Sequence, residues 1–131
     1  MKIDSLEKTL VPLLKKSLDA YSVRQQAITE NIANIDTPGY KPIKVSFEEK
    51  LRHLLNRNLD VKTGNLRHMD SGANLLQNDP SLFEVTKEAT DVNLEDQMAE
   101  LAKNQIRFEF ATRMLNRTYE MIRASITGHV R

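Results

Sequence analysis

The chain has 131 residues, 40% hydrophobic and 28% charged, with a mean hydropathy of -0.50. Its 19 basic and 18 acidic residues leave a net charge of +1, without the basic footprint of a nucleic-acid binder. No run approaches the roughly 18 to 20 apolar residues of a membrane span, and the absence of cysteine excludes disulfides and thiolate metal sites.

That profile suits one domain with thin, extended apolar seams rather than one thick core. Asp4, Glu7 and Lys8 fall where a signal peptide needs an uncharged apolar stretch, so no cleaved signal is expected. The first predicted element is a helix starting near Val11, because Pro12 fits a first turn. Val11, Leu14, Leu18, Tyr21, Gln25, Ile28, Ile32 and Ile35 recur at steps of three and four and form one seam. A neighbouring stripe, Leu13, Ser17, Ala20, Ala27, Asn31 and Asn34, is small or polar and suits close helix approach. Its asparagines fit two readings. They fix register through buried amide hydrogen bonds, or they satisfy the last carbonyls of the helix.

The helix must end by about Asp36, since the residue before Pro38 resists the helical conformation. Thr37-Pro38-Gly39-Tyr40 reads as a type II turn, with Gly39 free to take positive φ. Residues 41–92 then change character. Turn signals crowd in at "KTGN", "DSGAN" and "NDPS", and candidate strands are short, at "LDVK" and "LFEV". Only Phe47 to Leu55 looks helical. So much irregular chain predicts a small extended insertion, partly disordered when the protein is alone.

The C-terminal third carries the strongest periodicity. Leu94, Met98, Leu101, Gln105, Phe108, Thr112, Leu115, Tyr119, Ile122 and Ile126 step by four and three, and eight of the ten are apolar. Asn93 is the expected N-cap and Gly128 the expected stop. The predicted fold is mainly α: residues 1–36 and 93–131 pair as a coiled-coil-like hairpin around an irregular, partly β or disordered insertion at 37–92. The expected intramolecular seam joins Leu14, Leu18, Tyr21, Ile28 and Ile32 to Leu94, Leu101, Phe108, Leu115 and Ile122. Ile106, Phe110, Met114 and Met121 form a second apolar face behind that seam, a candidate subunit interface, although the middle segment could cover part of it.

Nothing points to catalysis. The three histidines, at 53, 68 and 129, stand in no metalloprotease spacing, and no Gly-rich phosphate loop follows a strand. His68 beside Arg67 is better read as a loop contact than as a phosphate site. No cofactor, metal, nucleic acid or small-molecule substrate is expected.

"NIANIDTPGYK" resembles the signature of flagellar rod and hook proteins. "VKTGNLRHMD" resembles a central segment of the proximal-rod FlgB family, and "DVNLEDQMAELAKNQIRFEFATRMLNRTYEMIRASITG" is similar to that family's C-terminal helix. The resemblance implies a structural rod subunit whose terminal helices form a tube wall around an export channel and transmit torque. It implies copies of itself, other rod proteins, basal-body ring-adaptor proteins and the flagellar type III export apparatus as partners. It also places the protein in the periplasm-spanning rod of the basal body. Early export substrates share a Phe-x-x-x-apolar gate motif, matched here by Phe47 and Leu51 of "FEEKL"; the plain alternative is an i,i+4 packing pair. A rival reading, a cytosolic coiled-coil adaptor, explains the seams but neither the apolar back face nor the Asn-rich turn.

Overall fold

Two long helices dominate the computed structural model, which describes residues 10–53, 83–89 and 91–128. The first, α1 (Val11–Ala33), carries Pro12 in its opening turn, where a missing N–H costs no helical hydrogen bond. It ends at Asn34, whose N–H and side-chain Nδ2 both donate to the Glu30 carbonyl. The second, α2 (Leu94–Thr127), starts at Asn93, whose Oδ1 accepts from the Glu95 N–H at 2.9 Å. Glu95 and Asp96 in its first turn complement the helix dipole. It stops at Gly128, where φ is 67°, the left-handed conformation of a glycine C-cap.

Between the helices, β1 (Ile43–Ser46) pairs antiparallel with β2 (Glu84–Lys87), Ile43 opposite Lys87 and Ser46 opposite Glu84. Exposed ion pairs flank the ribbon, Lys44 to Glu88 at 2.8 Å and Lys50 to Glu84 at 3.0 Å. β1 turns Val45 onto α1, whereas every residue of β2 is exposed. Phe47 follows β1 and leads into helical residues 48–53. The candidate strand at "LDVK" and the three turn clusters lie outside the described residues. The strand at Ile43–Ser46 was not anticipated, although its Ile-Lys-Val alternation has the period of a half-buried strand.

The helices run antiparallel: Asn31 bonds Gln97, and the Tyr21 carbonyl accepts from Asn104. They do not meet along the whole predicted seam. The buried residues of α2 are Asn104, Ala111 and Thr118, a small and polar heptad stripe. Leu101, Leu115 and Ile122 lie half-buried beside it, but Leu94 and Phe108 are exposed, which corrects their assignment to the intramolecular seam. The covered line of α2 runs through Asn104, Ala111 and Thr118, each three residues on from Leu101, Phe108 and Leu115. At 100° per residue it lies about 60° to one side of the predicted seam, which leaves Leu94 and Phe108 at the edge of the contact. On α1, Ile28 is buried and Leu14, Leu18, Tyr21 and Ile32 are half-buried. The deepest α1 positions belong to the adjacent stripe of Ser17, Ala20, Arg24, Ala27 and Asn31.

α1 therefore packs α2 along one side and β1 with Phe47 along the next. Phe47 is 1% exposed, the largest fully buried side chain among the described residues. Ala20 makes room for it, and Leu13, Tyr21, Leu51 and Phe83 surround it. Tyr21 meets its ring edge-on, with centroids 5.9 Å apart. Buried hydroxyls in the stripes fold back on their own helices, Ser17 onto the Leu13 carbonyl and Thr118 onto Met114.

Phe47→Ala is expected to destabilise the isolated subunit by about 3–5 kcal/mol, read from denaturant midpoints. The same experiment on Ile106→Ala, a truncation on the exposed side of α2, should show a change within about 0.5 kcal/mol.

Candidate functional site

The segment leaving α1 is built around one side chain. The Thr37 carbonyl accepts from the Tyr40 N–H at 3.2 Å, and Gly39 has φ 75°. That is a type II turn, with Pro38 at its second position. The turn sends Tyr40 back along the helix, where its hydroxyl donates to Asn31 Oδ1 at 3.0 Å. The same oxygen accepts from the Ile43 N–H at 2.8 Å, and Nδ2 donates to the Ile43 carbonyl at 2.9 Å and to Gln97 Oε1 at 3.0 Å. Asn31 is 1% exposed, and both its donors and both lone-pair directions are used. Asn34 has a different task. It closes the helix end through the Glu30 carbonyl, and its Oδ1 accepts from the Thr37 hydroxyl at 3.4 Å.

Two turns earlier on α1, Arg24 makes the second connection. Its Nε and Nη2 donate to the Val45 carbonyl at 3.1 and 3.0 Å. Nη1 and Nη2 also hold the Glu48 carboxylate in a fork at 2.8 and 2.6 Å. Arg107 of α2 reaches the same carboxylate at 3.1 Å, so Glu48 bridges both helices. The Arg24 guanidinium also lies 5.7 Å from the Tyr21 ring centroid, within cation–π range. These hydrogen bonds, Arg24 foremost, hold the Glu48 carboxyl down to about 2 against an ordinary 4.5. A third polar contact sits in the helix seam, where Asn104 Nδ2 donates to the Tyr21 carbonyl and to Gln25 Oε1. Its Oδ1 is buried and meets no partner among the described residues.

Arg24, Glu48, Arg107, Gln97 and Asn104 had not been singled out from the sequence. The signal for Arg24 was its step of four from Ala20, inside a stripe of small residues that a surface arginine would not share.

The outer faces of α2 are bare. Ile106 is 69% and Phe110 65% exposed, Met121 is exposed and Met114 half-buried. Leu94, Met98, Phe108, Tyr119 and Ile126 line a second exposed flank. α1 covers only the narrow stripe between them. Phe47 and Leu51 face inward in the folded subunit, Phe47 completely. Finally, β1 and the first turns of α2 rise on either side of α1 and leave an open groove of about 800 Å³, floored by Ala27, Ile28 and Asn31.

A family model described as "Flagella basal body rod protein" matches residues 17–41. That span holds Ser17, Ala20, Arg24, Ala27 and Asn31, the inner stripe of α1, together with the turn. The flagellar basal body rod protein FlgB of Bacillus subtilis (strain 168) is 31% identical over 129 residues, covering 95% of this chain and 98% of the relative. FlgB of Borrelia hermsii is 34% identical over 113 residues, 78% of this chain and 84% of the relative. FlgB of Borreliella burgdorferi is 31% identical over 106 residues, 72% of this chain and 78% of the relative. No solved structure matches the chain.

Because Glu48 is more acidic folded than unfolded, its contribution is complete above about pH 4.5 and fades as the pH falls towards about 2. Its side chain is 39% exposed, and solvent screening brings the effect down to about 1–2 kcal/mol. Urea unfolding between pH 6 and pH 2.5, on the order of the window set by linkage, should show this loss. Glu48→Gln should start less stable at neutral pH and lose less across that range.

Proposed function

Because the chain belongs to the FlgB family of flagellar basal body rod proteins, we propose that it forms the proximal tier of the rod, with α1 and α2 packed into a tube wall around an export channel and transmitting torque. It is a structural component of the flagellar basal body. Its partners in this reading are further copies of itself, neighbouring rod and ring-adaptor proteins, and the type III export apparatus that delivers it without a cleaved signal. Phe47 and Leu51 serve twice: in the unfolded chain as an export-gate motif, and after folding as packing.

The observation that carries the reading is the uncovered back of α2. A helix that buries only Asn104, Ala111 and Thr118, while Ile106, Phe110 and Met121 face solvent, is built to be covered by a neighbour. Phe110→Asp tests it. The isolated subunit should keep its helix content and be secreted normally, since residue 110 touches solvent in the monomer. In the assembly an unpaired carboxylate would be buried at a cost of several kcal/mol. Cells should then lack completed basal bodies and fail to swim. Swimming with normal basal bodies would remove Ile106, Phe110, Met114 and Met121 from the subunit contact.

A further inference from the structure

α1 is held on two sides, and the two sides are unequal. On the ribbon side Phe47 and Val45 are buried, and Arg24 grips the Val45 carbonyl and the Glu48 carboxylate together. On the other side the buried residues of α2 are Asn104, Ala111 and Thr118, none of them large and apolar. Leu101, Leu115 and Ile122 add contact that is only half-buried. The side chains that touch both sides divide the same way. Asn31 makes three bonds to Tyr40 and Ile43 and one to Gln97 of α2. Glu48 takes both arms of the Arg24 fork at 2.8 and 2.6 Å, but a single bond at 3.1 Å from Arg107, whose side chain is 45% exposed. Asn104 donates to Tyr21 and Gln25, and its Oδ1 gains no partner there among the described residues. The Thr118 hydroxyl donates to Met114 of its own helix and so adds no bond across the seam.

The stronger side is also the local one. α1, the turn, β1 and Phe47 lie within residues 11–53, whereas Asn31 and Gln97 are 66 residues apart. Contacts that close short loops form without waiting for distant ones, and units of unequal stability open separately. We infer that α2 is a releasable helix, which leaves α1 as one unit while α1, the turn and β1 with Phe47 stay folded. Release bares Leu14, Leu18, Ile28 and Ile32 of α1 together with Leu101, Leu115 and Ile122 of α2, so the open form offers apolar lines that the closed form covers in whole or in part. The inference goes beyond the rod reading and holds whatever covers the outer flanks of α2.

The chain has no cysteine, so single introduced thiols report each side. Ala111→Cys and Thr118→Cys probe the α2 side, Ala20→Cys and Val45→Cys the ribbon side; all four positions are at most 4% exposed. Each full-length variant is labelled with dithiobisnitrobenzoate at rising urea concentrations below the unfolding transition. Rates are divided by that of the same thiol in the unfolded chain. Labelling reads separation of the surfaces, whether or not the released helix keeps its own hydrogen bonds. Both α2 probes should label faster than both ribbon-side probes, by about tenfold or more, with under about half the urea slope of global unfolding. The ribbon-side probes should follow the global slope. Adding Arg107→Gln should speed the α2 probes and leave the ribbon-side probes unchanged. Circular dichroism checks helix content, and where one variant fails to fold, its companion on the same side gives the reading. Two results overturn the inference: α2 probes that label no faster than the ribbon-side probes, or four probes sharing one urea slope, since the subunit would then open only as a whole.

Discussion

Four hydrogen bonds converge on the buried amide of Asn31, and they join three parts of the chain at one point. Tyr40 fixes the path out of the turn, both backbone groups of Ile43 fix the start of β1, and Gln97 fixes the first turns of α2. A primary amide offers two donors and two acceptor directions. Each one buried without a partner costs about 1–3 kcal/mol. The arrangement is therefore selective as well as stabilising, because a shift of α2 or of the ribbon orphans several groups together. An aspartate there would lose both donors, and a leucine would lose all four bonds.

The remaining interior follows the same pattern of small and polar contacts. Alanines at 20, 27 and 111 let the elements approach, Arg24 and Glu48 join ribbon to helix, and Asn104 sets the helix register. Phe47 is the largest fully buried side chain among the described residues. Among the described residues, α2 nonetheless leaves Met98, Ile106, Phe108, Phe110, Met121 and Ile126 exposed. These side chains lie on both flanks of α2, on either side of the stripe that α1 covers. The family match falls on residues 17–41, so the matched segment is the one that organises the subunit, while the exposed flanks lie elsewhere in the chain.

Periodicity made the two helices and their pairing legible, since caps at Asn93, Gly128 and Pro12 and steps of three and four are local signals. The turn was legible for the same reason, because Pro38-Gly39 admits few geometries. The face of α2 that meets α1 was only partly legible. Apolar spacing locates the stickiest line, but the contact with α1 is centred beside it, on Asn104, Ala111 and Thr118, which leaves Leu94 and Phe108 exposed. The hub at Asn31 was half visible. Sequence placed it on the inner stripe, yet could not show that Ile43 and Gln97 complete its bonding, because those partners lie 12 and 66 residues away. Arg24 and Glu48 were hidden by a prior that charged residues face water. That prior fails where a guanidinium fork finds a carboxylate and a carbonyl together.

If the Asn31 amide holds turn, ribbon and α2 together, the backbone amide of Ile43 should report it, since its N–H donates to Asn31 Oδ1. Amide hydrogen exchange measured on the subunit and on Asn31→Ala compares the two states directly. The expected result is loss of protection at Ile43 and at the β1–β2 amides in the variant, with the central amides of α1 and α2 still protected above the ribbon. Wild-type protection at Ile43 and across the ribbon in Asn31→Ala would contradict the claim that this side chain fastens the insertion to the helices.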